Sequence, residues 1–161
     1  MIRREAPTGE ASRALFAEYM ALVRARLGDE FAPSEAIFAT EDAFDGPGAA
    51  WLVVYEDDRA VGCGGLRPLE PDVAEIKRMF VTAPARRRGH GRMLLGELER
   101  LARDAGYRRA RLYTTKVLRE ARALYDHAGY RPIDAAAVDD RADDIWLEKS
   151  LQAPRRADVR S

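Results

Sequence analysis

The sequence predicts one α/β domain of the mixed α+β kind, in which about four helices flank a central sheet of about six to seven strands. Most of this sheet should be antiparallel, because the apolar runs 51–55, 60–66 and 73–81 follow one another too closely for crossover connections. Residues 89–104 then repeat apolar side chains at helical spacing and lead to another apolar run at 109–114. A strand, a crossover helix and a strand form a right-handed βαβ unit, so strands 73–81 and 109–114 should be parallel.

Length and composition are those of a single soluble globular domain. The chain has 161 residues, of which 47% are hydrophobic and 34% are charged. We expect the domain to cover residues 1–151, and we expect residues 152–161 to form a flexible C-terminal tail.

The N-terminal part of the chain has the pattern of a short strand followed by helices. Residues 2–6 are typical of an edge strand, and Thr8 is placed to cap a helix from about Gly9 to Leu27. A weaker helical turn is expected at Pro33–Phe38, before a loop at Asp45–Gly48.

Glycine and proline mark the strand connections that follow. Strand 60–66 contains three glycines, which in a strand indicate a bulge or a close backbone approach. These are Gly62, Gly64 and Gly65. Pro68 and Pro71 should bracket the turn into strand 73–81. Near the C-terminus, a helix from about Leu118 to His127 precedes two closing strands, 130–133 and 145–151, which an acidic loop separates.

A basic turn with two glycines connects strand 73–81 to the next helix. The amides of a helix's first turn have no intrahelical acceptor and carry partial positive charge, so they can bind an anion. Gly89 and Gly91 keep side chains away from these amides, and four arginines add full charges. The arginines are Arg86, Arg87, Arg88 and Arg92. The turn therefore predicts a diphosphate site; the alternative is a solvated, charged turn.

Several other functions are not supported by the sequence. The third glycine of a dinucleotide fingerprint is replaced by Leu94, and no Gly-Lys-Ser/Thr triphosphate loop occurs. The formal net charge of +0 gives no overall field for nucleic acid or an anionic membrane, so neither is expected as a partner. No metal site is predicted, since the chain has one cysteine and two histidines. Without an apolar signal core or membrane span, a cytoplasmic protein is expected.

Two motifs in this order resemble those of the GNAT superfamily of acetyl-CoA-dependent N-acetyltransferases. The first is Arg86-x-x-Gly89-x-Gly91, which matches the family's (Gln/Arg)-x-x-Gly-x-(Gly/Ala) acetyl-CoA motif. The second is Ala121-x-x-Leu124-Tyr125-x-x-x-Gly129-Tyr130, which resembles a segment that packs beside the thiol end of the cofactor. The resemblance covers roughly residues 50–150. It implies a GNAT-type fold with a splayed parallel pair, acetyl-CoA as co-substrate, and acetyl transfer to an amine.

The resemblance also implies which residues contact acetyl-CoA. The pantetheine arm would pair with the strand before the turn, at Met79, Phe80 and Val81, with a bulge near Val81 making room for it. The pyrophosphate would rest on the turn. The turn residues are Arg86, Arg87, Arg88, Gly89, His90, Gly91 and Arg92, although the place of His90 between two glycines favours its exposure to solvent.

Two side chains are candidates for the chemistry. Tyr125 would protonate the departing CoA thiolate, and the alternative is a core tyrosine on an amphipathic helix. Glu75 would deprotonate the amine through water, and the alternative is an exposed carboxylate that pairs with Lys77 or Arg78. Many family members have asparagine where this chain has Leu118, so one contact to the pantetheine is in question.

The acceptor is not specified by the sequence. We expect a small-molecule or amino-acid-like primary amine that attacks the thioester directly in a ternary complex. A protein N-terminus or lysine, and a non-catalytic acyl-CoA sensor, are the alternatives, and a homodimer is left open. The resemblance implies that the acceptor pocket draws on the N-terminal helices, the loop at 42–50 and the acidic loop at 139–144; the alternative for the acidic residues is a solvated loop.

Overall fold

The computed structural model describes residues 1–28, 41–115, 118–134 and 144–152. These residues form seven strands and three α-helices, with short 3-10 turns at Glu41–Phe44 and Ala83–Ala85. In chain order the elements are β1 (Ile2–Arg4), α1 (Glu10–Leu27), β2 (Ala50–Glu56), β3 (Arg59–Glu70), β4 (Val73–Val81), α2 (His90–Asp104), β5 (Arg109–Thr115), α3 (Arg119–Ala128), β6 (Arg131–Ile133) and β7 (Asp144–Ser150). The helical turn predicted at Pro33–Phe38, most of the acidic loop, and the tail beyond Gln152 lie outside the described residues.

The seven strands form one mixed sheet, which confirms the predicted fold class. Their order is β1-β2-β3-β4-β5-β7-β6. All neighbouring pairs are antiparallel except β4 and β5, which are parallel as the βαβ pattern predicts.

The parallel pair separates soon after it forms. β4 and β5 are in register only from Val73 opposite Arg109 to Glu75 opposite Arg111. β4 then continues to Val81, while β5 stays paired with β7 as far as Thr115. The second half of β4 therefore has no partner strand on its β5 side within the described part of the chain. This opening in the sheet is where the candidate site lies.

A β-bulge in β4 lies at Arg78, not near Val81 as the sequence led us to expect. The register between β3 and β4 shifts between Cys63 and Gly65, so Gly64 lies opposite an extra residue of β4. Arg78 is that extra residue, and its backbone has a left-handed φ of 55°. A Cβ on Gly64 would lie 2.9 Å from the Met79 sulfur, so glycine is needed here for close approach.

The core has two layers, one on each face of the sheet. On one face α2 and α3 pack against β2–β5 and β7, through residues such as Leu94, Leu98 and Leu112. On the other face α1 packs through Leu15 against an aromatic cluster that includes Trp51. Because α1 and α3 lie on opposite faces, both can reach the opening between β4 and β5.

Two local predictions were wrong. Thr8 does not cap α1: the N-cap residue is Gly9, with no side-chain hydrogen bond. Pro68 does not end β3, which continues to Glu70. Since β2 pairs with β3 only as far as Leu66, Pro68 has a single neighbouring strand, and at a sheet edge its missing N–H is tolerated.

Candidate functional site

A cavity of about 580 Å³ occupies the opening between β4 and β5. Its walls come from the end of β4, the turn before α2, α1 on one face of the sheet and α3 on the other. Most of the site residues predicted from the sequence line it together. They are Met79, Phe80, Val81, Arg86, Arg87, Gly89, His90, Gly91, Arg92 and Tyr125. Arg88 and Glu75 do not line it.

The N-terminus of α2 presents free backbone amides to this cavity. The first α-helical bond runs from the Met93 N–H to the Gly89 carbonyl at 3.0 Å, so the amides of residues 90–92 have no intrahelical acceptor. Gly89 turns the chain with a φ of 84°, a left-handed conformation that glycine adopts without a steric penalty. A Cβ on Gly91 would lie 3.2 Å from a methyl of Leu124, so α2 and α3 approach closely here.

The arginines of the turn have different surroundings. The Arg86 Nε donates to the Val81 carbonyl at 3.0 Å, which holds its guanidinium at the end of β4 beside the Phe80 ring. Arg87 and Arg92 line the cavity, whereas Arg88 turns away and pairs with Glu56 of β2. The positive charge predicted for the turn is thus partly neutralised by Glu56, which lies outside the cavity.

His90 is held by a hydrogen bond and is largely shielded from solvent, whereas the sequence favoured its exposure. Its Nε2 lies 2.6 Å from the Glu56 Oε2, and its side chain is 14% exposed. The hydrogen bond with His90, followed by the charge of Arg88, lowers the pKa of the Glu56 carboxyl. Glu56 therefore bridges the turn to β2. This contact could not be predicted from the sequence, since Glu56 and His90 are 34 positions apart in the chain.

Tyr125 of α3 is buried at the cavity wall and is 6% exposed. Its ring contacts Tyr130 edge-on, with centroids 6.0 Å apart. Burial raises the pKa of the Tyr125 phenol well above its usual range, and the nearby Tyr19 phenol adds to this. Among the described residues no group forms a hydrogen bond with its hydroxyl. The phenol is therefore a protonated donor facing the cavity.

Helix α1 adds three cavity residues that the sequence did not identify: Tyr19, Leu22 and Arg26. They recur at spacings of three and four, so they share one helix face. That pattern is present in the sequence, but it indicates only burial. The family resemblance implies that the N-terminal helices contribute to the acceptor pocket, but it does not identify these residues, and their spacing does not show that this partly buried face of α1 reaches an opening in the sheet.

An ion pair joins α1 to α3 at the cavity. The two terminal guanidinium nitrogens of Arg26, Nη1 and Nη2, donate to the Glu120 carboxylate at 2.7 and 2.9 Å. The hydrogen bond from Arg26 is the main reason that the pKa of Glu120 is lowered to about 2. This carboxylate therefore stays ionised at neutral pH. The pair connects the two helices on either side of the opening.

Glu75 lies outside the cavity and within a group of ion pairs. It pairs with Lys77 as the alternative predicted, but it is 2% exposed and not an exposed carboxylate. Lys77 Nζ lies 3.2 Å and Arg67 Nη2 3.6 Å from its carboxylate oxygens. The sheet register also places Arg111 of β5 opposite it, at the last paired position of β4 and β5. The carboxylate is thus placed where the parallel pair ends.

Leu118 and Cys63 have simple structural roles. Leu118 is the N-cap residue of α3 and lines the cavity without a side-chain hydrogen bond. Cys63 is buried, and burial raises the pKa of its thiol to about 12.

The described residues contain no cluster of three or more side chains suited to a metal ion. Of the helices described, none is both long and apolar enough to cross a membrane.

Comparison with known proteins shows the same family that the two motifs resemble. The family model described as "Acetyltransferase (GNAT) family" matches residues 13–130. The uncharacterized N-acetyltransferase YjgM of Escherichia coli is 39% identical over 93 residues, which is 56% of either chain, so the match spans little more than half of that relative. The uncharacterized N-acetyltransferase YsnE of Bacillus subtilis is 31% identical over 102 residues, or 62% of this chain and 68% of YsnE.

A solved structure has the same fold. The PaiA N-acetyltransferase of Thermoplasma acidophilum, crystallised in complex with coenzyme A, superposes with a TM-score of 0.73 at 17% identity. The superposition covers 93% of this chain and 98% of that one.

Proposed function

Because this chain belongs to the GNAT acetyltransferase family, we propose that it transfers the acetyl group of acetyl-CoA to a primary amine of a small or amino-acid-like acceptor. The observation that carries the proposal is the cavity in the opening between β4 and β5. It joins an anion-binding helix terminus, an unpaired strand edge and a buried phenol in one space.

The residues present fit acetyl-CoA as the donor substrate. The diphosphate would accept hydrogen bonds from the amides of residues 90–92, with Arg87 and Arg92 supplying charge. The pantetheine arm would extend along β4 at Met79–Val81, where the β5 side of the strand is open. At Gly91 a side chain would fill the space between the helix terminus and Leu124.

Tyr125 would provide the proton that the leaving thiolate needs. Its raised pKa keeps the phenol protonated at neutral pH, and its hydroxyl has no competing partner among the described residues. The acceptor nitrogen would attack the thioester carbon directly in a ternary complex, from the α1 face. A non-catalytic acyl-CoA sensor has no need of such a donor, so the Tyr125 geometry favours catalysis.

We expect Glu75 to act through its ion pairs and not as the base. Glu75→Gln should lower the free energy of unfolding by about 1–3 kcal/mol, because it leaves two partly buried cations without their carboxylate. It should change kcat by less than about threefold. Denaturant unfolding and steady-state kinetics measure the two effects.

Glu70→Gln is the matched control for Glu75. Glu70 pairs with Arg111 at 3.1 Å from an exposed position of β3, so its replacement should cost less than about 1 kcal/mol. A loss of kcat of about 100-fold in the Glu75→Gln variant, with unchanged stability, would assign the base role to Glu75 after all.

The acceptor proposal is tested by release of free CoA thiol from acetyl-CoA. The purified chain is assayed with polyamines, an aminoglycoside, free amino acids, and peptides with a free N-terminus or a lysine. We expect stimulated release with a small amine and mass-spectrometric detection of its N-acetyl product. Preference for peptides would move the assignment to protein acetylation. Acetyl-CoA binding without stimulated release by any amine would support the sensor.

A further inference from the structure

Two residues of the turn before α2 have a left-handed backbone, so the shape of the turn depends on what holds it. Gly89 has a φ of 84° and Arg87 has a φ of 64°. Glycine adopts this conformation readily, but for arginine it is sterically unfavourable. The amides of residues 90–92, which would bind the diphosphate, follow directly after these residues. Contacts that keep the turn in this shape therefore keep the amides directed at the donor.

Glu56 contacts the turn on both sides of Gly89. Its Oε2 lies 2.6 Å from the Nε2 of His90, and its Oε1 forms an ion pair with the Nη1 of Arg88. The hydrogen bond with His90, followed by the charge of Arg88, keeps the pKa of the Glu56 carboxyl below its usual range. The carboxylate is therefore ionised at neutral pH, and both of its oxygens accept hydrogen bonds. One side chain thus joins the residues before and after the left-handed glycine.

Glu56 is fixed in the sheet and lies behind the turn. It is the last residue of β2 and pairs with Arg59 of β3. It does not line the cavity of the candidate site; together with Arg88 it lines a neighbouring cavity of about 740 Å³. His90 lies between the two, since it lines the cavity of the candidate site and contacts Glu56. Glu56 would therefore act on a bound donor through the turn and not by direct contact.

Two effects of Glu56 on an anion in the cavity have opposite signs. Its hydrogen bonds keep the unfavourable turn formed, so that binding of the diphosphate does not have to order it. Its negative charge repels the diphosphate. That repulsion is weak, because the Arg88 guanidinium neutralises the carboxylate and because the Glu56 side chain is 31% exposed to screening solvent. The positioning effect is therefore the larger one.

We propose that Glu56 is a positioning residue: through Arg88 and His90 it holds the turn in the shape that binds the diphosphate of acetyl-CoA. The inference rests on the proposed function, in which acetyl-CoA is the donor. It predicts that Glu56 affects a donor that carries a diphosphate and does not affect the same acetyl thioester without one.

The test compares two acetyl donors in the Glu56→Ala variant. The Kd of acetyl-CoA, measured by calorimetry, should rise about 10-fold, while kcat at saturating acetyl-CoA changes less than about twofold. S-acetylpantetheine has the thioester and the pantetheine arm but no diphosphate, so its kcat/KM should stay within about twofold of the wild-type value. Glu56→Gln keeps an oxygen that accepts one of the two hydrogen bonds and removes the charge. Its Kd for acetyl-CoA should lie between those of the wild type and Glu56→Ala.

Glu97→Ala is the matched control. The side chain of Glu97 on α2 is 32% exposed, pairs with Arg100 and does not line the cavity, so its replacement should leave the Kd of acetyl-CoA unchanged. A Kd in Glu56→Ala that is equal to or below the wild-type value would overturn the proposal. An equal loss of kcat/KM with both donors would also overturn it, because that result indicates general damage to the fold.

Failure of the proposed function gives a different result. If the wild-type chain binds acetyl-CoA but releases no thiol with any amine, acetyl transfer is refuted, and the Kd values of the variants still test Glu56. If the wild-type chain does not bind acetyl-CoA, both proposals are refuted.

Discussion

Gly91→Asp is expected to abolish acetyl-CoA binding, with a Kd at least about 100-fold higher, or about 2.8 kcal/mol of binding free energy. Gly91 is the second residue of α2, where the added Cβ would lie 3.2 Å from Leu124. The carboxylate would stand among the amides of residues 90–92 that are proposed to hold the diphosphate, and it would repel that anion. Isothermal titration calorimetry with acetyl-CoA measures the loss.

The same change should not unfold the protein. A carboxylate in the first turn interacts favourably with the helix dipole, and the neighbouring Leu124 methyl can move by a few tenths of an ångström. Gly96→Asp is the matched control: it adds the same group to the same helix at an exposed position with no atom within 4 Å of its Cβ. Equal affinities of the two variants for acetyl-CoA would contradict the assignment of this helix terminus to the diphosphate.

The fold could be predicted because its signals are local. Short apolar runs, a helix with one apolar stripe and glycines at turns determine strand and helix order, and the βαβ rule fixes the one parallel pair. The positions of the β-bulge and of Pro68 were predicted wrongly because they depend on the neighbouring strands of the sheet. The bulge lies at Arg78 because Gly64 of another strand leaves space beside Met79. Pro68 stays in a strand because β2 ends before reaching it.

The candidate site likewise has residues that local sequence signals identify and residues that depend on contacts distant in the chain. The turn residues from Arg86 to Arg92 are contiguous, so one motif identifies them. The contribution of α1 comes from at least 60 positions before this turn, as the count from Arg26 to Arg86 shows. Its helical spacing signals burial alone, and the divergence of β4 and β5 is what makes the partly buried Tyr19 a cavity residue. The contribution of Glu56 could not be predicted either, since its contact with His90 depends on how β2 lies beside the turn.

Tyr125→Phe is expected to lower kcat by about 100-fold while the Kd of acetyl-CoA changes less than about twofold. The phenylalanine ring can keep the edge-on contact with Tyr130, and the lost hydroxyl has no hydrogen-bond partner among the described residues, so stability should not fall. The loss should therefore appear in turnover alone. Single-turnover thiol release and calorimetry separate the two quantities.

The pH profile provides a second test of the acid role of Tyr125. An acid must be protonated to act, and burial raises the pKa of this phenol, so wild-type kcat should not decline through deprotonation of Tyr125 up to about pH 10. Tyr130→Phe is the control, because it removes a buried hydroxyl from the other ring of the same pair, and it should leave kcat unchanged. Turnover by Tyr125→Phe equal to the wild type at every pH would remove the acid role and leave protonation of the thiolate to water.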